Sequence, residues 1–105
     1  MRPTWGCLTT FSITISAEGD VQVVRLAGEL DILGAEDVRA ALVGAAGSTV
    51  VADLSGLSLI DARGVSAVVE AGDEIRAGGN QLRIVGATGL VRQVFEICGL
   101  DGRLE

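Results

Sequence analysis

One stretch of the chain gathers most of the side chains able to do chemistry: Asp53-Leu54-Ser55-Gly56-Leu57-Ser58-Leu59-Ile60-Asp61-Ala62-Arg63-Gly64-Val65-Ser66. Asp61 stands immediately before a helical pattern. There it suits an N-cap, its carboxylate accepting from an amide two or three residues on. The free amides and partial positive charge of such a helix start can receive an anion. Leu57, Leu59 and Ile60 are apolar in what reads as a loop. They either plug the core or offer a sticky rim to a partner. Asp31, Asp53 and Asp61 form a carboxylate set of the kind that holds Mg²⁺, but no phosphate-gripping loop accompanies them, so a metal is not expected. Ser55 and Ser58 read as turn hydroxyls, and Ser66 as an exposed helix serine or a substitute phosphoacceptor.

What is missing narrows the chemistry further. The 105 residues contain no histidine and no lysine, every basic residue being arginine, and only two cysteines, Cys7 and Cys98. No Ser-His-Asp triad, Cys-His pair or structural zinc site can be assembled. Neither can a Walker-type phosphate site or a Schiff base. An enzyme is therefore not expected, nor is a cofactor. Eight arginines against 14 acids leave a net charge of -6. That offers no basic footprint for nucleic acid. It is also repelled by anionic membrane surfaces. No apolar run of transmembrane length occurs, and the N-terminus lacks the apolar core of a secretory signal. A cytoplasmic location is the expectation, with proteins as the favoured partners. Cys7 and Cys98 are candidate redox thiols; the plainer reading makes Cys7 a free near-terminal thiol and Cys98 a small buried hydrophobe.

The elements that must position these residues follow from periodicity. Residues 1–9 read as a flexible extension ahead of a domain over 10–105. Phe11 to Ile15 alternates apolar and polar, Glu18-Gly19-Asp20 reads as a turn, and Val21 to Ala27 alternates again: a hairpin. Gly28 breaks the alternation. From Gly34 a helical face appears in Ala35, Val38, Leu42 and Ala45 or Ala46, with Glu36 and Asp37 in its first turn. Thr49 to Leu54 is a nearly continuous apolar run, as in a central strand covered on both faces. Ser55 to Asp61 reads as a loop. A helix follows, with Val65, Val68, Val69, Gly72 and Ile75 inward, ended by Gly78-Gly79-Asn80. Gln81 to Val85 is a short strand, and Gly89 to Cys98 a last helix with Gly99 at its end. Leu100 to Glu105 either adds a short strand or frays. The order β-β-α-β-α-β-α(-β) predicts an α/β fold, a mixed sheet of four to five strands with helices packed on it.

Gly28-Glu29-Leu30-Asp31 before an Ala-led helix, and Asp53-Leu54-Ser55 through Asp61-Ala62-Arg63-Gly64-Val65, resemble the STAS-domain family of anti-sigma-factor antagonists. The family's "GELD" and "DLS-x-L-x-x-(I/M)-D-S-(S/T)-G-(L/V)" blocks lie at this separation, and Val94-Phe95-Glu96-Ile97-Cys98-Gly99-Leu100 is similar to its "vFxxxGL". The resemblance covers roughly residues 10–105. It implies a bacterial cytoplasmic regulator that binds an anti-sigma factor, often a serine kinase, and so frees a sigma factor. It also implies a switch: phosphorylation of the hydroxyl residue before the glycine breaks the complex, adding about −1.5 to −2 charges inside an interface. The partner-binding residues it implies are Asp31, Leu59, Ile60, Asp61, Ala62, Arg63, Gly64, Val65 and Ser66.

The chain departs from the pattern at the switch itself. Ala62 and Arg63 carry no hydroxyl, and Arg63 occupies the phosphoacceptor position with the sign opposite to a phosphate. One reading is an antagonist that the usual kinase cannot switch off, with Arg63 pairing a partner's carboxylate or phosphate. The other is a solvated arginine on a surface whose binding is lost or redirected. A different class of function stays open: a STAS accessory subunit of an ABC lipid-type transporter, bound to its ATPase subunit. A nucleotide sensor is a third, with no phosphate lysine or nearby aromatic to support it. A weak homodimer is a candidate assembly.

Overall fold

The structure is a computed structural model that describes residues 11–45 and 49–105. Cys7 and the extension over residues 1–9 lie outside that range, as do Ala46 and Gly47. Strand β1 (Ser12–Glu18) turns through Gly19 into β2 (Val21–Leu30). Gly19 takes φ +63 at the first of the two turn positions, a conformation that costs glycine nothing. Helix α1 (Ile32–Gly44), strand β3 (Thr49–Ile60), helix α2 (Ala62–Ala77), strand β4 (Gln81–Val85) and helix α3 (Gly89–Ile97) follow. The sheet order is β1-β2-β3-β4, with β1 antiparallel to β2 and the other pairs parallel. The mixed sheet and element order are those the sequence predicts. The final segment forms neither a full strand nor a frayed end. A 3-10 turn at Asp101–Arg103 brings Leu104 beside Ile84 in a single parallel bridge, and the Glu105 amide donates to the Ile84 carbonyl at 2.8 Å.

Three expected boundaries move. Strand β2 continues past Gly28 to Leu30, so α1 begins at Ile32, two residues before Gly34. Glu36 and Asp37 accordingly lie beyond the first turn, which holds no acid. The segment 55–60, expected as a loop, is the second half of β3. Here β3 gains a residue on β2 twice: Arg25 and Ala27 oppose Asp53 and Gly56, and Gly28 and Glu29 oppose Leu57 and Leu59. Each bulge shifts the alternation by one, so the buried positions run Val50, Ala52, Leu54, Leu57, Ile60. Gly56 fits the first bulge because a Cβ there would stand 2.9 Å from the Leu26 carbonyl oxygen.

One core cluster joins alternate strand residues (Val24, Leu26, Val50, Ala52, Ile84) to Val38 and Leu42 of α1, Val65 and Val68 of α2, and Val91 and Phe95 of α3. Cys98, expected to be a small buried hydrophobe, is an exposed free thiol just beyond α3.

Asp53 ties the bulged region together. Its Oδ1 accepts from the Ser55 amide at 2.9 Å and its Oδ2 from Arg25 Nε at 3.2 Å. The Ser55 amide holds the carboxyl below its usual range, burial opposes this, and the Ser55 hydroxyl and Arg25 guanidinium reinforce the lowering. A folded pKa below the unfolded value of about 3.9 gives stability that is complete above that pH and lost as pH falls through the folded value. Below about pH 4, urea titrations should therefore show wild type losing stability faster than Asp53→Asn; parallel acid limbs would contradict this role.

Helix α2 approaches the ends of β2 and β3 through Gly64. A Cβ at Gly64 would lie 2.8 Å from Ile60 Cγ1 and 2.9 Å from Leu30 Cγ, both in buried side chains. Gly64→Ala should overpack this contact and destabilise the fold by roughly 1–3 kcal/mol, while Arg63→Ala stays within about 0.5 kcal/mol of wild type. Chemical denaturation of both variants checks the contrast.

Candidate functional site

Strands β2 and β3 end level, Leu30 opposite Ile60, and each is followed at once by an aspartate that caps a helix. Asp31 Oδ1 accepts from the Leu33 amide at 3.0 Å, and Asp61 Oδ1 from the Gly64 amide at 2.9 Å. The Asp61 amide itself donates to the Leu30 carbonyl at 3.1 Å, which fixes the two starts side by side. The heads of α1 and α2 thus open on the same end of the sheet.

The residues expected to meet a partner divide by burial. Asp31, Leu59, Ala62, Arg63 and Ser66 are exposed and Asp61 is half-buried, whereas Ile60, Gly64 and Val65 belong to the packed interior. The last three shape the site from below and offer no side chain to a partner. Leu59 is 45% exposed, and on α1 Ile32 and Leu33 are exposed by 57% and 77%, so apolar surface flanks the capped ends. The three aspartates are not gathered for a metal: Asp31 and Asp61 cap different helices, and Asp53 is held by Arg25 and Ser55. Among the described residues no three acids or thiols cluster in a metal-binding arrangement. Ser58 Oγ donates to the Gly28 carbonyl, and so serves the β2–β3 pairing.

A groove of about 320 Å³ runs between α1 and α2, lined by Ile32, Glu36, Arg39, Arg63, Ser66 and Glu70 among others. Of these, sequence reasoning singled out only Arg63 and Ser66 as site residues. The others were within reach of the helical period. Ile32, Glu36 and Arg39 lie four and three apart, as Arg63, Ser66 and Glu70 lie three and four apart, and such spacing defines one helix face. The missing signal was the start of α1 at Asp31.

Ion pairing sets one groove cation apart. Arg39 bridges the helices, with Nη1 3.2 Å from Glu36 and Nη2 2.6 Å from Glu74. Arg25, Arg76, Arg83, Arg92 and Arg103 each have a carboxylate within 4 Å. Among the described residues Arg63 alone of the arginines has none, and it is exposed at the head of α2.

Known proteins share this architecture. A family model described as Mlab, STAS domain, matches residues 13–105. The structure of the anti-sigma factor antagonist SpoIIAA in its unphosphorylated form is similar at 27% identity and a TM-score of 0.74, over 90% of this chain and 86% of that one. An antisigma-factor antagonist STAS domain from Rhodobacter sphaeroides is 31% identical, with a TM-score of 0.64 over 73% of this chain and 87% of that one. An anti-sigma factor antagonist from Mycobacterium paratuberculosis, at 19% identity, shares the fold with a TM-score of 0.78 over 90% of this chain and 83% of that one. No curated protein sequence matches. No helix among the described residues is long and apolar enough to cross a membrane. With the family model spanning nearly all of the described domain and both sequence blocks on the sheet end where α1 and α2 begin, the chain belongs to the STAS-domain family and is similar along its length to anti-sigma-factor antagonists.

Proposed function

We propose that this chain is a non-enzymatic anti-sigma-factor antagonist whose partner, an anti-sigma factor of the serine-kinase type, binds the face formed by the heads of α1 and α2. The observation that carries the reading is Arg63: exposed, with no carboxylate within 4 Å among the described residues, and rimmed by the apolar Ile32 in the same groove. Such a guanidinium retains its donors for a partner's carboxylate, and planar two-point pairing gives both energy and orientation. The support from relatives is that SpoIIAA is described in both an unphosphorylated and a phosphorylated form. Where the family resemblance places a hydroxyl, this chain holds a permanent positive charge. Its regulation therefore does not run through a phosphate at that position.

Calorimetry with the purified anti-sigma factor tests the interface. Arg63→Glu should weaken the complex by tenfold or more, because it places like charge against the partner's acid. An unchanged Kd would sink the assignment. Incubation with partner kinase and ATP tests the missing switch. Wild type should take no phosphate on residues 61–66, whereas Arg63→Ser should accept one at the restored hydroxyl. Phosphate on Ser66 of the wild type would overturn the claim that the module escapes this control.

A second reading, the accessory subunit of an ABC lipid-type transporter bound to its ATPase, draws on the same absent hydroxyl. The identity of the genes beside this one separates the two: sigma and anti-sigma genes for the first, transporter genes for the second.

A further inference from the structure

Helix α2 carries five charged side chains, at Arg63, Glu70, Asp73, Glu74 and Arg76. Three are engaged within the chain: Glu74 with Arg39, and Asp73 with both Arg76 and Arg103. Among the described residues the two left without an ion-pair partner are one cation and one anion, Arg63 and Glu70. Both are exposed and both line the same groove. They stand seven residues apart, about 10 Å along the axis, on one face of the helix and too far apart to pair with each other. Midway between them lies the exposed Ser66, whose short side chain permits close approach of another helix, while Ala67 beside it is buried within the fold.

This pattern is self-complementary. A second α2 laid antiparallel across the first, with a two-fold axis passing between Ser66 and Ala67, sets Arg63 of each copy against Glu70 of the other. An interface of this kind uses the same patch on both subunits and closes on itself. We propose that a second copy of this chain docks on α2 in this antiparallel arrangement, held by the reciprocal Arg63–Glu70 pairs. The opposing force is the net charge of -6 on each copy, so the association is weak and salt-sensitive. The regulatory consequence rests on the partner-binding reading of the Arg63 face. The dimer covers that face, so self-association competes with the anti-sigma factor and is relieved by dilution or by an excess of partner, with no phosphate involved.

Sedimentation equilibrium of the chain alone, at low and moderate salt, tests the proposal without any partner. The weight-average mass should rise with concentration from 10.7 kDa toward twice that value. Arg63→Glu and Glu70→Arg should each weaken the dimer by tenfold or more, and the double variant should return to within about threefold of wild type. Glu70→Arg is the sharpest arm: it lowers the net negative charge, so general repulsion alone would strengthen association where the specific pair predicts weakening. Circular dichroism confirms that each surface variant is folded. A single 10.7 kDa species at every concentration up to about 1 mM would overturn the proposal. So would a dimer indifferent to both single swaps, or a double variant that stays monomeric. A dimer that obeys the swaps while Arg63→Glu leaves the anti-sigma complex unchanged would uphold the self-association and reject only the partner-binding reading.

Discussion

The absence of a side chain at Gly64 sets the distance on which the whole face depends. Helix α2 can settle onto Leu30 and Ile60 because nothing intervenes, and those two residues are the level ends of β2 and β3. The Asp61 amide, bonded to the Leu30 carbonyl, locks that level. From there each strand hands over to an aspartate cap and a helix, so the heads of α1 and α2 share one end. Arg63 is displayed because its neighbour in sequence is buried. The residues that build the surface and those that present it therefore alternate along a single segment.

Charge distribution completes the arrangement. The exposed ion pairs elsewhere are each worth little, about 0–1 kcal/mol in water, and they contribute more by occupying charges than by stabilising the fold. Arg39 shows this use most clearly: by holding Glu36 and Glu74 it offsets part of their negative charge and stitches α1 to α2. What remains on α2, among the described residues, is a single unpaired cation at the head and a single unpaired anion two turns on. In the proposed function recognition turns on this one guanidinium, flanked by the exposed Ile32 and a largely polar groove, where the family resemblance implies a hydroxyl that turns negative on phosphorylation.

The order of elements was legible because strand and helix periods are strong in this chain, and Asp61 was readable as a cap from its place before the helical pattern. The second half of β3 was not. Two bulges space its buried residues by three, Leu54 to Leu57 to Ile60, which destroys the alternation that marks a strand and leaves a loop-like text of serines and glycine. The start of α1 was hidden for a related reason: its first residues, Ile32 and Leu33, are apolar yet exposed, so hydrophobic periodicity begins only at Ala35. Burial of Gly64 and exposure of Cys98 depend on which way each helix faces its neighbours, which a motif does not encode, whereas the inward place of Val65 was readable from the helical period. The free state of Arg63 could not be read either, since pairing of the other arginines is set by contacts between distant elements such as Arg25 with Asp53 and Arg83 with Glu105.

The most direct test of the central claim, that the heads of α1 and α2 form the partner surface, is amide hydrogen exchange of the chain with and without its anti-sigma factor. New protection is predicted over residues 32–36 and 62–70, with β1 and the outer face of α3 unchanged. Protection confined to β1 or to α3, with the α1 and α2 heads exchanging as in the free protein, would contradict it.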